Sequence, residues 1–356
     1  MKKLILIFGL IVSLSVWSCG QVPGIAGMLT PSYSEPVPLA EYEIWGVEYR
    51  DPTYSRVFQS IDGGDTYQAY QIGGNGLSSN QLVPTLGIEV KGDVIGVICV
   101  SSTTLAVGFY STDGGNTFHT TSNAESYSQD VEIGDGHIFY SWAGAGSLRK
   151  KSIATGTETP VSVLTNIYGF AMTPGEDTIY IARYSADVVE KSTDGGATWT
   201  PKSFPNQTWT VDVSDNGRYV FVGTRYDANE VYISSDYGET YTGRSLVSGS
   251  SSGPYYALGC STSGQYVFAG TTGLSFVSQD YGQTFTQVLV GVAGEAGTVG
   301  SSPVSNSGKY MIVGDNQSYG TYHISIDYGV TWTTKVIPEV ASESIYLRGL
   351  VVVENN

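Results

Sequence analysis

An eight-residue pattern, Ser-x-Asp-x-Gly-x-Thr followed by an aromatic residue, occurs six times along this chain of 356 residues. The copies begin at Ser60, Ser111, Ser192, Ser234, Ser278 and Ser325. A weaker copy, Ser152–Thr159, stays in register but lacks the aspartate and the aromatic residue. With this copy counted, the spacing between units runs from 40 to 51 residues. Repeats of this length are typical of four-stranded propeller blades, so the chain is expected to form seven of them.

Each residue of the pattern has a physical task in a tight hairpin between two strands. Alternating segments such as VYISSD and TYTGRSL flank it, as expected for strands joined by a turn. The glycine can adopt a positive φ, and the aspartate carboxylate can accept hydrogen bonds from the turn's own amides. The aromatic residue re-enters the sheet as an apolar anchor. We therefore predict a structural role, rather than a catalytic or calcium-binding one, for six aspartates: Asp62, Asp113, Asp194, Asp236, Asp280 and Asp327.

These copies resemble the Asp-box, or BNR, repeat of sialidases, some xyloglucan-degrading enzymes, sortilin-type receptors and a photosystem II assembly factor. The resemblance covers roughly residues 42 to 353. It implies a β-propeller whose hairpins lie on the face away from the usual binding site. It implies little about activity, because proteins of very different function share this scaffold.

The two ends of the repeat region predict how the ring closes. The first unit opens with YEIWGVEY, which matches a second strand, so this unit lacks an inner strand. The C-terminal YLRGLVVVENN matches an inner strand with nothing after it. Pairing the two completes the first blade and removes open sheet edges. The predicted fold is all-β: a seven-bladed β-propeller of four-stranded antiparallel blades, closed by the C-terminal strand joining the N-terminal blade.

The N-terminal region has the pattern of a bacterial export signal. Residues 1–18 read as a lipoprotein-type signal peptide, with two lysines before an apolar run. Cys19 is the expected lipidation site, residues 19–41 a tether, and residues 42–356 the propeller. We expect an exported protein, periplasmic or at the cell surface, that contacts the membrane through its lipid anchor alone. An ordinary secretory signal with a chance cysteine is the alternative.

The formal net charge of −16 restricts the possible partners. A chain this acidic repels phosphate backbones, which argues against nucleic acid. Solubility is the simpler interpretation of the acidity. Cys99 and Cys260 lie far apart in apolar runs and are expected to be buried rather than bridged. The sequence has no phosphate loop, dinucleotide fingerprint or metal-ligand spacing, so neither a cofactor nor a metal is expected.

Aromatic residues recur at one position of the predicted inner strands, on the face opposite the hairpins. Aligned on the apolar residue before the turn, five of the seven units carry one: Tyr127, Tyr168, Trp209, Tyr256 and Tyr346. Arg183 and Arg225 lie in loops on the same face and could orient a carboxylate or sugar hydroxyls. Stacking against a peptide or glycan is the functional interpretation, and packing between blades is the simpler one.

Enzymatic activity has weaker support in the sequence. The Arg-Ile-Pro of a sialidase-like site is absent. Glu89, Asp130 and Asp212 are predicted to occupy one equivalent place on three inner strands, where two carboxylates could act in a glycosidase. We therefore expect a non-enzymatic, extracytoplasmic binding or assembly-scaffold propeller with a protein or glycan ligand. The alternatives are a glycoside-acting hydrolase or lyase on the same scaffold, and a structural component of the cell envelope.

Overall fold

A computed structural model of the chain describes residues 40–49, 55–72, 85–99, 107–121, 128–142, 148–162, 164–184, 186–225, 230–246, 257–271, 273–290, 303–315, 318–342 and 346–355. The predicted signal peptide lies outside these residues, as does the predicted tether apart from its last two positions. Within the described part of the chain, we find no helix with the length and apolar character needed to span a membrane.

The described chain is almost entirely strands. The innermost strands are β4 (Thr85–Lys91), β8 (Ser128–Ile133), β12 (Ile167–Met172), β16 (Gln207–Val213), β20 (Ala257–Cys260) and β27 (Tyr346–Glu354). The second strands are β1 (Tyr42–Tyr49), β5 (Val94–Cys99), β9 (His137–Trp142), β13 (Ile179–Arg183), β17 (Val220–Arg225), β21 (Val267–Thr271) and β24 (Met311–Gly314).

The outer half of each sheet is built in the same way. The third strands are β2 (Ser55–Ser60), β6 (Val107–Ser111), β10 (Arg149–Ser152), β14 (Val188–Ser192), β18 (Glu230–Ser234), β22 (Leu274–Ser278) and β25 (Thr321–Ser325). The outermost strands are β3 (Gln68–Ile72), β7 (His119–Thr120), β11 (Glu158–Pro160), β15 (Thr200–Ser203), β19 (Thr242–Ser245), β23 (Thr286–Val290) and β26 (Thr333–Val336). One short helix, α1, spans Pro338–Ser342.

These strands form seven antiparallel sheets, the blades of a propeller, which we number in chain order. Blade 1 is β27-β1-β2-β3, and the five blades that follow each use four consecutive strands, from β4–β7 to β20–β23. Blade 7 has β24, β25 and β26, and a single bridge between Val304 and Met311 stands where its inner strand is expected. Blade 3, which contains the weak copy of the repeat, is a complete four-stranded sheet. The predicted fold is confirmed.

The ring closes as the sequence predicts. Strand β27 pairs antiparallel with β1, with Trp45 opposite Val351 and Tyr42 opposite Glu354. Ala40 and Glu41 join this clasp, because the Asn355 amide donates to the Glu41 carbonyl at 2.9 Å. The first blade is therefore built from both ends of the described chain.

The hydrophobic core is divided into seven clusters, and each cluster fills the space between two neighbouring blades. Between blades 7 and 1, for example, Ile324 and Tyr322 pack with Phe58 and Leu350. The hairpin aromatics pack against these clusters, each facing the preceding blade: Tyr67, Phe118, Trp199, Tyr241, Phe285 and Trp332. Burial of apolar area between flat sheet faces thus stabilises the ring.

The six complete repeats form six hairpins with the same hydrogen bonds. In each, the serine hydroxyl donates to one aspartate oxygen at 2.7–2.8 Å and accepts from the glycine amide at 2.7–2.9 Å. The threonine amide and hydroxyl donate to the carboxylate at 2.8–2.9 Å and 2.5–2.6 Å. The glycine has a φ between 77° and 94° in every copy. Each aspartate carboxylate therefore accepts hydrogen bonds from residues of its own turn.

The hairpins define the two faces of the propeller. Each hairpin joins the third and fourth strands, so it lies at the same end of its blade as the turn between the first and second strands. The Tyr328 amide, for example, donates to the Lys309 carbonyl of that turn at 2.9 Å. We call this side the hairpin face, and the side where the second strands end the loop face.

Candidate functional site

Four inner strands, those of blades 2 to 5, begin on the loop face with a β-bulge. The pairing of β12 with β13 shifts register between Ile167 and Gly169, and that of β16 with β17 shifts between Thr208 and Thr210. Tyr168 and Trp209 are the extra residues, which are left without an opposite partner. Because a bulge turns a side chain out of the regular alternation, both can reach toward the boundary between blades 4 and 5.

Tyr168 and Trp209 meet there in a compact group of rings. Their ring centroids are 4.4 Å apart, and that of Tyr184 lies 4.9 Å from Tyr168 and 5.5 Å from Trp209. The guanidinium carbon of Arg225 lies 4.6 Å from the centre of the Trp209 ring and 5.4 Å from that of Tyr184. We call Tyr168, Tyr184, Trp209 and Arg225 the aromatic cluster. All four side chains are half-buried, and burial raises the pKa of Tyr168.

Arg183 is adjacent in sequence to Tyr184 of this cluster, but its side chain forms hydrogen bonds within blade 4. Its Nη1 is 2.9 Å from Oε1 of the buried Glu190, and its Nε donates to the Thr165 carbonyl at 3.1 Å. Its carbonyl in turn accepts from the Thr208 hydroxyl at 3.2 Å. Arg183 therefore compensates a buried carboxylate and joins blade 4 to blade 5, whereas Arg225 stacks on the rings.

The other aromatic residues predicted for this site are not described. Tyr127 and Tyr256 lie outside the described residues, and the side chain of Tyr346 is likewise undescribed. In blade 3 the register shift falls between Ser128 and Asp130, so Gln129 occupies the position of Tyr168 and Trp209. The sequence alignment that placed Tyr127 there is therefore displaced by two residues, because it took Val131 rather than Ile133 as the apolar residue before the turn.

A cavity of about 660 Å³ lies at the centre of the hairpin face. Its wall consists of the inner strands and the turns that follow them. Among the described lining residues, Lys91 is the single cation, and its Nζ is 2.8 Å from Asp135 Oδ1. The wall is otherwise acidic, with the carboxylates of Glu43, Glu89, Asp93, Glu132, Asp135, Asp212, Asp215 and Glu354. We call this cavity the acidic channel.

Two aspartates of the inner strands connect neighbouring blades. Asp212 accepts from the Val213 amide at 2.7 Å and from the Cys260 amide of the next blade at 2.6 Å. Asp130 accepts from the Val131 amide at 2.9 Å and from the Phe170 amide of the next blade at 2.7 Å. Burial raises the pKa of Asp212 to about 6 and that of Asp130 well above its usual value.

The register corrects the predicted equivalence of Glu89, Asp130 and Asp212. Glu89 pairs with Gly96, Glu132 with Phe139 and Asp212 with Phe221. Each of the three lies three residues after the extra residue of its bulge, which is Leu86, Gln129 and Trp209 respectively. Glu132, rather than Asp130, therefore shares the place of the other two. Burial and the nearby charges of Glu89, Asp130 and Asp212 raise the pKa of Glu132 well above its usual value.

Other predicted features can be placed briefly. Cys260 is buried, as expected, and its burial raises the pKa of its thiol; the side chain of Cys99 is undescribed. In the part of the chain that the structure describes, no group of three or more His, Cys, Asp or Glu side chains is arranged to hold a metal ion.

No protein-family model and no curated protein matches this sequence. Solved structures share the fold. A protein from Lactobacillus plantarum superposes with a TM-score of 0.62 at 10% identity, over 88% of this chain and 100% of that one. YCF48 from Cyanidioschyzon merolae superposes at 0.52 and 14% identity, over 85% and 98%. A structure described as YCF48 bound to D1 peptide gives 0.50 and 12%, over 87% and 96%. Together with the sheet order, these likenesses define a seven-bladed β-propeller and concern the fold alone.

Proposed function

We propose that this chain is a non-enzymatic binding propeller that holds a protein segment on its loop face. The aromatic cluster is the observation that carries the proposal. Three aromatic rings and one guanidinium from two blades meet at a strand edge, half-buried and reached through bulges. Bulges that redirect side chains are frequent at binding sites, and aromatic residues with arginine are enriched where proteins bind one another.

The packing within the cluster favours a peptide over a glycan. A sugar ring stacks on an open aromatic face, but Trp209 is packed against Tyr168 and Arg225. What the cluster offers is ring edges and a guanidinium, which suit backbone carbonyls or a carboxylate of an extended chain. The fold shared with the peptide-bound YCF48 is compatible with such a ligand.

The acidic channel supports an enzyme less well. A glycosidase needs one carboxyl group free to protonate the leaving oxygen and a second one near the reacting carbon. Both oxygens of Asp130 and of Asp212 already accept backbone amides, half of them from the next blade. This arrangement suits a clasp between strands better than a proton donor.

We further propose that the six hairpins are Asp-boxes and that the protein is an exported lipoprotein anchored through Cys19. The hydrogen-bond pattern of the hairpins supports the first, and the apolar run before Ser-Cys-Gly supports the second. Labelling of growing cells with a fatty acid tests the anchor. Label retained by a Cys19→Ser variant would contradict it.

The binding site is tested by screening the mature protein in parallel against a display library of random peptides and a glycan array. We expect peptides to be selected. Trp209→Ala should lower their binding affinity by at least about tenfold, as for a central aromatic anchor of an interface. Arg225→Gln removes the charge but keeps a polar side chain. It should lower the affinity most for peptides that carry a carboxylate.

A matched control lies on the opposite face. Tyr237 is an aromatic residue whose side chain is 52% exposed, at a position with a φ of 64°, so Tyr237→Gly removes a ring without backbone strain. It should leave peptide selection unchanged. Selection of glycans alone, or equal binding by the folded Trp209→Ala variant, would show that the ligand class or the site is wrong.

A further inference from the structure

The repeat provides an internal comparison among the six hairpins. Serine, aspartate, glycine and threonine make the same hydrogen bonds in all six hairpins, whereas the three positions between them vary; in blade 2, for example, the Asn116 side chain also donates to the Asp113 carbonyl at 2.6 Å. In blade 7 these positions are Ile326, Tyr328 and Val330, which are 52%, 37% and 66% exposed. We call these three residues the apolar hairpin.

The other five hairpins are more polar at the same positions. Their first positions are Ile61, Thr112, Thr193, Ser235 and Gln279. Their middle positions are Gly63, Gly114, Gly195, Tyr237 and Tyr281. Their last positions are Asp65, Asn116, Ala197, Glu239 and Gln283. Among these six described hairpins, the one in blade 7 alone is apolar at all three positions.

The apolar hairpin has little to do with folding. The ring centroids of Tyr328 and Tyr266 are 4.6 Å apart, and those of Tyr281 and Tyr219 are 4.5 Å apart. The Tyr328 side chain therefore packs on a residue of the neighbouring blade. Ile326 and Val330 belong to none of the seven core clusters. Exposed branched side chains that a turn does not need are a common sign of an interaction surface.

The neighbouring hairpin in blade 1 also carries an exposed apolar residue. Its first variable position is Ile61, which is 38% exposed.

The charge on this face indicates which partner fits. The acidic channel opens at its centre, and four lysines of the face are already held in ion pairs with carboxylates: Lys91, Lys191, Lys309 and Lys335. The channel carboxylates add to the negative charge of a chain that carries −16 overall. A second copy of this chain, or an anionic membrane, would bring like charges together.

We propose that the apolar hairpin of blade 7 docks a protein segment whose apolar side chains are flanked by lysine or arginine. The apolar residues of the segment cover Ile326 and Val330, and its cations face the acidic channel. This site is separate from the aromatic cluster, because it lies on the opposite face of the propeller. The protein would then hold two different partners, one on each face.

A hairpin exchange tests this surface. In the double variant Ile326→Thr/Val330→Asn, blade 7 receives the residues found at these positions in blade 2, where Thr112 and Asn116 stand in a turn of the same geometry. A display library of random peptides is selected on the Trp209→Ala variant, in which the loop-face site is disabled and the blade 7 hairpin is unchanged. We expect apolar sequences with lysine or arginine to be enriched, and the double variant to bind them at least about tenfold more weakly.

The matched control is the same exchange in blade 4, where Thr193 is already present and Ala197→Asn completes the blade 2 residues without changing the charge; it should leave binding unchanged. Raising the salt concentration should weaken the binding of the selected peptides, because part of their affinity is electrostatic. The proposal is overturned if acidic or uncharged peptides are selected equally, if no peptide is selected, or if the double variant binds as well as the wild type. Sedimentation showing dimers that the double variant dissociates would identify a second copy as the occupant instead.

Discussion

At the scale of single residues, each hairpin is a closed local network. In the blade 5 hairpin the Ser234 hydroxyl donates to Asp236 Oδ1 at 2.7 Å and accepts from the buried Gly238 amide at 2.8 Å. The Thr240 hydroxyl donates to the other carboxylate oxygen. All partners lie within seven residues of sequence, so the same letters produce the same geometry wherever they occur.

Removing the hairpin serine should destabilise the fold. Ser234→Ala leaves the buried amide of Gly238 without its acceptor, and we expect a loss of about 1–3 kcal/mol in the free energy of unfolding, measured by urea titration. The neighbouring Ser235 is exposed, so Ser235→Ala should change stability by less than ~0.5 kcal/mol. Equal effects of the two substitutions would mean that the Ser234 hydroxyl does not stabilise the hairpin.

At the scale of elements, the hairpins and the inner strands place two opposite kinds of carboxylate on the hairpin face. In the hairpins, hydrogen bonds from threonine hold the pKa of Asp113, Asp194 and Asp236 to about 2. In the acidic channel, burial raises the pKa of Asp212 to about 6, and burial with nearby like charges raises that of Glu132. The stabilising effect of the hairpin carboxylates therefore increases as the pH rises, whereas that of the channel carboxylates decreases.

This contrast predicts a stability maximum on the acid side of neutrality. Because the pKa of Asp212 is higher in the fold than its usual 3.8, its contribution is present at low pH and is lost as the pH rises through about 6. The hairpin aspartates contribute above their usual pKa of 3.8, and this contribution is lost as the pH falls toward 2. We therefore expect the highest Tm, measured by calorimetry, near pH 4, with a decline as the pH rises through about 6 or falls toward 2.

The channel's part in this profile can be isolated with Glu132→Gln, which removes one of the like charges. The variant should be more stable than the wild type at pH 7 and should lose less stability between pH 5 and pH 7. A wild-type Tm that rises steadily from pH 5 to pH 8 would contradict the raised pKa values of the channel.

At the scale of the whole molecule, the ring depends on its closing strand. Leu347, Leu350 and Val352 of β27 belong to the cluster between blades 7 and 1, and Val351 belongs to the cluster between blades 1 and 2. One strand therefore contributes to two of the seven core clusters and covers the edge of β1. Closure of this kind removes an edge that would otherwise pair with other chains.

Deletion of residues 346–356 should abolish cooperative folding. The truncated chain exposes both clusters and the edge of β1, so we expect aggregation and loss of the sharp thermal transition seen by circular dichroism. Deletion of Asn355 and Asn356 alone removes only the end of the clasp and should leave the transition sharp. A truncated chain that remains monomeric and melts cooperatively would show that closure is dispensable.

The comparison of sequence and structure separates local from collective features. The hairpins, the number of blades and the pairing of β27 with β1 were predictable, because each follows from a motif or from counting strands per unit, whereas the completeness of the third blade, whose repeat lacks the aspartate, is seen only in the structure. The positions of Gln129 and Glu132 were not predictable either, since Val131 and Ile133 are both apolar and only the pairing of β8 with β9 shows which of them stands before the turn. The apolar hairpin could have been found in the sequence by comparing the variable positions of the six repeats.

The amino-acid pattern alone thus specified the turn chemistry, the number of blades and the way the ring closes, because these depend on short-range hydrogen bonds and on a regular period. The folded ring decided which side chains meet. The aromatic cluster combines residues of two blades, and the acidic channel combines carboxylates of several. Their packing and protonation depend on burial and on charges from distant parts of the chain, which exist only once the blades are assembled.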